Sequence, residues 1–467
     1  MINIDTAIVN VAGPSIGAGL SASGAELQLV VSGYILAYGM LLITGARLGD
    51  LRGRRRIFLT GLTVFTLASL ACGLAPAAVP LIAARVVQGV GAALMVPQVL
   101  TGIQHAFPAG PARVRALGWY AAALSGGAVV GQVLGGLLVS ANLFDTGWRP
   151  VFLINVPIGV VLLVAAARLL PPDVQREGGR LDLPGVAALS VTSLLAVLPV
   201  VLGRDLHWPT WSWICLAASA PALLVFLASQ RAAARRGRTP LLNLAILTRP
   251  VRRALLSVGA ATSTYFAMLF VLAQYLQDGL GYRPLASGLA LVSWVAAFGV
   301  AGPMLRRLRP AVVRYVLPFG QLLLAGAYAS MALAGRPTGV LLVVALGFGG
   351  LGLGCGFSAA LVHLSGAVPT RFASDLSGVV STTAQVSAVT GVAVFGTCYF
   401  TLLGNHGDAA AAAHAFAGTT GVMSATALVA AALGALAIHS RLPQKSPDQE
   451  RAIDAPPPRQ STTTATH

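Results

Sequence analysis

Between Ile57 and Ala112 the chain carries one charged side chain, Arg85, and similar uncharged stretches recur along most of its length. A helix needs about 20 mostly apolar residues to cross a hydrocarbon core of about 30 Å. Runs of that kind, broken by Arg clusters, Pro and Gly, predict helices near 1–20, 28–47, 57–75, 79–98, 116–140 and 151–170. A pair follows near 185–203 and 211–229, then six more near 254–276, 286–305, 312–334, 339–366, 377–403 and 417–439. The predicted fold class is an all-α polytopic membrane protein of fourteen transmembrane helices. Only 10% of the residues are charged, against about 25% in a soluble domain, which excludes a water-soluble enzyme, a secreted disulfide scaffold and a disordered chain. Cys72, Cys215, Cys355 and Cys398 stand singly in apolar runs and are expected to be small core residues.

The net charge of +17 reads as a topology signal in short loops rather than as a nucleic-acid surface. With the N-terminus placed in the cytoplasm, 26 of the 31 basic residues fall in inner loops, while Arg149, Arg204, Arg283 and Arg336 fall in outer ones. Arg85 alone lies within a span. A miscounted helix would move every later loop to the other side and erase this split, so both termini are expected inside. The first residues lack a positive n-region and a cleavage site, so the opening apolar stretch is expected to be retained. Residues 442–467, with Pro456, Pro457 and Pro458, read as a disordered cytoplasmic tail.

The chain also answers itself. Pro108, Arg113, Gly118 and Gly131 correspond to Pro369, Arg371, Gly378 and Gly391, and the two glycine pairs share an offset of 260 residues. Each copy joins a Gly-rich helix to a second helix with spaced glycines through a Pro/Arg loop. Two half-transporters related by a parallel repeat produce such a pattern, with a site at their interface near the midplane; chance alignment of two Gly/Ala-rich helices is the alternative. The expected division is a six-helix bundle in 1–170, two inserted helices and a loop in 181–240, and a second six-helix bundle in 250–441.

Four segments carry the polar chemistry. "NIDTAIVNVAGPSI" holds Asp5, the one carboxylate placed inside a span; Glu26 and Asp375 sit at helix edges, and Asp145, Asp205, Asp278 and Asp408 in outer loops. "GARLGDLRGRRRIF" sets Asp50 beside Gly53, Arg54 and Arg55 at a cytoplasmic turn, where charge-assisted contacts can form in one state and break in another. "LIAARVVQGVGAALMVPQ" carries Arg85, Gln88, Gly89 and Gly91. An Arg at mid-span costs about 2.5–3.5 kcal/mol even on lenient scales, so it should face a cavity or a carboxylate. "GGAVVGQVLGGLL" spaces Gly127, Gly131, Gly135 and Gly136 for close helix approach, with Gln132 offering an amide. Blander readings stand beside these: a solvated end residue for Asp5, a positive-inside anchor at Asp50, snorkelling for Arg85 and plain packing for the glycines.

Together these segments resemble the major facilitator superfamily, specifically its fourteen-helix drug:proton antiporters. The cytoplasmic turn is similar to the Gly-x-Leu-Ala-Asp-Arg-x-Gly-Arg-Arg signature, with Ala46 and Leu51 as departures. The fourth helix is similar to Arg-x-x-Gln-Gly-x-Gly, and the fifth to the antiporter pattern Gly-Pro-x-x-Gly-Gly, with Gln132 in the Pro slot. Asp5, Thr6, Asn10 and Pro14 match the first-helix pattern. The resemblance implies proton-coupled efflux of small, largely apolar compounds such as drugs or antibiotics across the cytoplasmic membrane of a bacterium. Asp5 and Arg85 would be the coupling pair: a carboxylate in low dielectric takes up protons more readily, and a neighbouring guanidinium opposes this. No cofactor is implied, the proton being the coupling ion. The expected partners are the small-molecule substrate and the lipid bilayer, without nucleic acid, and the chain is expected to act as a monomer. The later helices lack intramembrane acids, which argues against cationic dyes. An exporter of one metabolite is the rival; a membrane-embedded enzyme or sensor would need a catalytic cluster or a soluble domain, and neither is present. The family's Asp lies well inside its first helix, whereas Asp5 follows only Met-Ile-Asn-Ile. Met1 is therefore expected to be an internal methionine of a longer natural product, and Asp5 to be hydrated near a membrane edge.

A reporter inserted within residues 231–252 should be cytoplasmic and one within 404–416 external. The opposite result at either position would break the fourteen-span reading.

Overall fold

A computed structural model describes residues 1–107, 111–142, 145–173, 183–203, 206–236, 244–305, 307–368, 373–404 and 408–439. The expected tail at 442–467, and Pro108, Pro369 and Arg371 of the repeat, lie outside them. The first six helices are α1 (Ile2–Leu20), α2 (Gly24–Arg52), α3 (Arg54–Gly73), α4 (Ala78–Ala106), α5 (Pro111–Ala141) and α6 (Pro150–Leu169, interrupted at Ile154). Next come α7 (Leu183–Gly203) and α8 (Thr210–Arg235). The last six are α9 (Arg249–Gln274), α10 (Pro284–Leu305), α11 (Pro310–Leu333), α12 (Gly339–Ala367), α13 (Ala373–Leu403) and α14 (Ala409–His439). Among the described residues there is no strand, and twelve helices are long and apolar enough to cross a membrane; α1 and α5 fall outside that set.

Local chemistry sets the helix ends. At the head of α2 the Ser23 hydroxyl accepts from the Glu26 N–H at 3.2 Å, while the Ser23 N–H donates to the Glu26 carboxylate at 2.8 Å. This reciprocal cap satisfies two otherwise orphaned donors. It starts α2 four residues earlier than its apolar run, at Gly24. One expectation is corrected at α9: the helix continues through a π-helical turn, Tyr275–Gly279, so Asp278 ends that span instead of lying in the loop beyond it.

The two sets of six helices pack by the same scheme. In the first, α1 lies on α5, α2 and α3 on α4, and α3 on α6; in the second, α9 lies on α13, α10 and α11 on α12, and α11 on α14. The helices bearing the sequence repeat also match in length, α4 and α12 at 29 residues and α5 and α13 at 31. The spaced glycines explain why the repeat is visible in sequence. A Cβ at Gly131 would stand 2.7 Å from the Ile4 carbonyl of α1, and one at Gly391 would strike the Ser263 carbonyl of α9. Likewise Gly89 faces the backbone of Tyr34 in α2 and Gly350 that of Trp294 in α10. Equivalent backbone crossings in both halves demand the same missing side chain.

Between the halves, α2 packs on α13 and α5 on α10, with a lighter contact of α1 on α9. The inserted pair, α7 and α8, packs together and rests through α7 on the α2–α13 seam. There the Thr397 hydroxyl donates to the Val200 carbonyl at 3.0 Å. Leu224 and Val225 of α8 stay about two-thirds exposed, which suits a helix facing lipid.

Gly131→Ala should lower the thermal stability of the purified protein by about 1–3 kcal/mol, as overpacked contacts do. Gly126→Ala, where an added Cβ meets nothing within 4 Å, should leave it unchanged or slightly higher. Equal melting curves for the two variants would refute the close α1–α5 crossing.

Candidate functional site

Asp5 and Arg85 meet inside the first six helices. Arg85 Nη1 donates to Asp5 Oδ2 at 2.7 Å, and the two side chains are 1% and 0% exposed. The expectation of a hydrated Asp5 is therefore corrected, and so is the snorkelling alternative for Arg85. The physical reason is that α5 lies along the first turns of α1 on one side, while side chains from α4 and α6 meet the carboxylate on the other. Gln88 Nε2 and Asn155 Nδ2 donate to Asp5 Oδ1 at 2.9 and 2.8 Å. Arg85 also donates to Gln88 Oε1 at 2.6 Å and, through Nε, to the Val30 carbonyl at 3.1 Å. The Tyr34 ring lies over the guanidinium, 4.3 Å from its centroid. Ser69 of α3 accepts from Gln88 and Asn155 and donates to the Phe152 carbonyl at 2.9 Å. Five helices thus supply a buried polar network around one ion pair.

An ion pair buried in this way is not primarily a source of stability, because desolvation offsets much of the Coulomb gain; removal of one partner costs about 3–5 kcal/mol. What the arrangement can do chemically is hold a buried carboxylate whose charge is balanced by a single guanidinium. The sequence reading missed Ser69 and Asn155. Asn155 carried a signal, since it is a lone amide in the apolar run "VFLINVPIGVVLL", and intramembrane polar groups are functional candidates by default.

Tyr34 has a second neighbour. It lines a cavity of about 460 Å³ between the halves, together with Tyr38, Tyr120, Tyr265, Phe266 and Gln132. The cavity reaches the end of the bundle that carries Met1 and Phe58. At the opposite end the halves are joined: Gln277 Nε2 donates to the Val11 carbonyl at 2.8 Å, and the Leu285 N–H to Ser140 Oγ at 3.1 Å. Gly136 of α5 lies against Leu285 of α10 there, so the fifth-helix glycines serve two crossings: Gly131 and Gly135 toward α1, Gly136 toward the other half. Gly127 makes only ordinary contacts with Asn3 and Ile4. In α4, Gly89 and Gly91 admit α2 and α3.

At the turn between α2 and α3, Gly53 has φ +97°, a conformation glycine adopts without strain. The side chain of Asp50 lies outside the described residues. Another carboxylate occupies the turn: Asp173, beyond α6, accepts from the N–H groups of Arg55 and Arg56 at 2.8 and 3.0 Å. A negative group at a helix N-terminus satisfies orphan donors and complements the helix dipole. Arg55 also donates through Nη2 to the Ala167 carbonyl, and Arg54 begins α3. Sequence gave no reason to single out Asp173, because its partners are backbone groups. Among the described residues no three His, Cys, Asp or Glu side chains gather as a metal site requires.

Comparison with known proteins bears on the fold and the family. The chain matches the Major Facilitator Superfamily over residues 1–392. It is 37% identical over 418 residues to a probable actinorhodin transporter of Streptomyces coelicolor, covering 87% of this chain and 71% of that protein. The cephamycin export protein CmcT of Amycolatopsis lactamdurans is 35% identical, over 94% of this chain and 90% of its own. The multidrug resistance protein Stp of Mycobacterium tuberculosis is 32% identical, over 85% and 73%. In structure, a bacterial homologue of the human lysosomal transporter Spinster superposes with TM-score 0.68 at 16% identity, covering 94% of this chain and 96% of that one. The xylose transporter XylE of E. coli gives 0.63 at 13% identity, over 97% and 96%. With its helical halves packed by one scheme around a shared cavity, this multi-pass membrane protein belongs to the Major Facilitator Superfamily.

Proposed function

We propose that the protein is a proton-coupled exporter of small, largely apolar compounds, drugs or antibiotics among them, across the cytoplasmic membrane of a bacterium. It acts as a transporter and not as an enzyme, with fourteen spans and both termini in the cytoplasm. Residues 1–170 and 250–441 rock about the cavity, and the proton serves as coupling ion without a cofactor. The observation that carries this reading is the Tyr34 ring, which covers Arg85 on one side and lines the cavity on the other. Occupancy of the cavity is thereby felt at the ion pair. Protonation of Asp5 frees Arg85 from its counter-charge, and reorganisation of the five-helix network links that event to access. Gly53, Arg54 and Arg55 act as a cytoplasmic gate with Asp50, and Asp173 anchors the turn to α6. Relatives named for export of and resistance to antibiotics support the substrate class. Energetics allow it: about 100 mV supplies about 2.3 kcal/mol per charge, and a tenfold gradient requires about 1.4.

A second reading, export of a single compound, is favoured by relatives named for one antibiotic, such as actinorhodin and puromycin. A resistance profile in cells lacking their own pumps separates the two readings by its breadth.

Asp5→Asn should abolish uphill export while the protein still reaches the membrane. Arg85→Ala should also fail, and Arg85→Lys should restore only part of the activity, because lysine lacks the planar fork. Asp5→Asn combined with Arg85→Gln removes both charges and should fold without uphill transport. Export that stays sensitive to an uncoupler in the double variant would remove the pair from the mechanism.

A further inference from the structure

Gln132 stands where the antiporter pattern has proline, and it is fully buried at the wall of the cavity with neither amide atom hydrogen-bonded. Gln274 and Gln321 are also buried without partners, but neither borders the cavity. An unpaired buried amide costs free energy, and a site retains one at least expense when a ligand completes it. A primary amide presents an acceptor and a donor side by side in one plane. Its complement is a group with adjacent donor and acceptor, such as a ring lactam, which closes two parallel hydrogen bonds. The rest of the wall states the remaining chemistry. Tyr34, Tyr38, Tyr120, Tyr265 and Phe266 supply flat aromatic faces, which favour stacked or edge-on rings. Among the described residues of the wall there is no Asp, Glu, Lys, Arg or His side chain, and the Met1 amine is the one basic group there, so a cationic ligand would leave its charge unpaired and the aromatic faces favour an uncharged one.

We propose that Gln132 is a specificity-determining residue of the cavity, and that the site takes uncharged planar aromatic compounds bearing a cis-amide or equivalent donor–acceptor edge. This rests on the reading of the cavity as the place where the exported compound binds. Replacement of the family's proline by Gln132 exchanges a backbone constraint for a recognition group. Only ligands that satisfy both amide atoms gain from it, because a site built to hydrogen-bond rejects analogues that lack the partner group.

The test is calorimetric titration of the purified full-length protein with two uncharged probes, 6(5H)-phenanthridinone and its N-methyl derivative, which lacks the donor. The wild type should bind the lactam about tenfold more tightly than the N-methyl compound. Gln132→Met, which keeps the length and removes both hydrogen-bonding atoms, should abolish that preference and leave the N-methyl affinity within about twofold. Tyr265→Leu should weaken both probes equally. Equal binding of the two probes by the wild type overturns the role of Gln132 while the cavity reading stands. That comparison decides the matter even if the Met variant fails to fold. Probe binding untouched by Tyr265→Leu and by Tyr38→Leu would place the ligand elsewhere, and both readings fall. No measurable binding of either probe overturns the ligand class.

Discussion

The Asp5–Arg85 ion pair organises the first half of the molecule. A guanidinium taken out of water must keep its donors occupied, and the structure meets this demand with groups from several helices: Asp5 from α1, Gln88 from α4 and the Val30 carbonyl from α2. The carboxylate in turn draws in Asn155 of α6, which with Gln88 brings Ser69 of α3 into the network. None of these helices can shift far without leaving a buried charge or amide unpaired, so their mutual positions are tightly specified. The cost of the buried charges is exchanged for a centre that ties these helices to one arrangement. A hydrophobic cluster of the same volume would pack as well and respond to nothing.

Among the described residues the second half has no such ion pair, and the repeat shows what stands at the equivalent places. At the offset of 260 residues, Asp5 corresponds to Tyr265 and Tyr34 to Trp294. Tyr265, Trp294 and Phe298 form an aromatic group, with centroids 6.0 Å apart for Tyr265–Trp294 and 5.2 Å for Tyr265–Phe298. Trp294 continues to Tyr328 at 5.9 Å. The two halves therefore share their helix crossings, enforced by matched glycines, and differ in what they bury at equivalent places. One holds a polar network beside the cavity, the other a set of rings that line or back it.

The Gly53 turn shows a similar dependence on groups distant in sequence. The Arg run after it marks a loop, but what holds the turn is a carboxylate more than a hundred residues later. Asp173 accepts from the first backbone donors of α3, and Arg55 reaches the Ala167 carbonyl in the last turn of α6. A Cβ on Gly53 would collide with the Asp173 carboxylate. The glycine is therefore required both by its backbone angle and by its partner's closeness.

Fold class and helix order were legible in the chain because the hydrocarbon core imposes one length and one polarity on every span, and composition records both. The repeat was legible because backbone crossings at short distance tolerate only glycine, so Gly89 and Gly131 reappear as Gly350 and Gly391. Arg85 announced itself as a lone charge in an apolar run. Its partners did not: Ser69 and Asn155 are short polar side chains whose importance lies in direction and distance, and Asp173 bonds to backbone that has no sequence identity. The burial of Asp5 was not legible for the same reason. Distance along the chain from Met1 says how far a residue lies from an end, whereas burial depends on which other helices close over it, and only the packing of α5 and the side chains of α4 and α6 decides that.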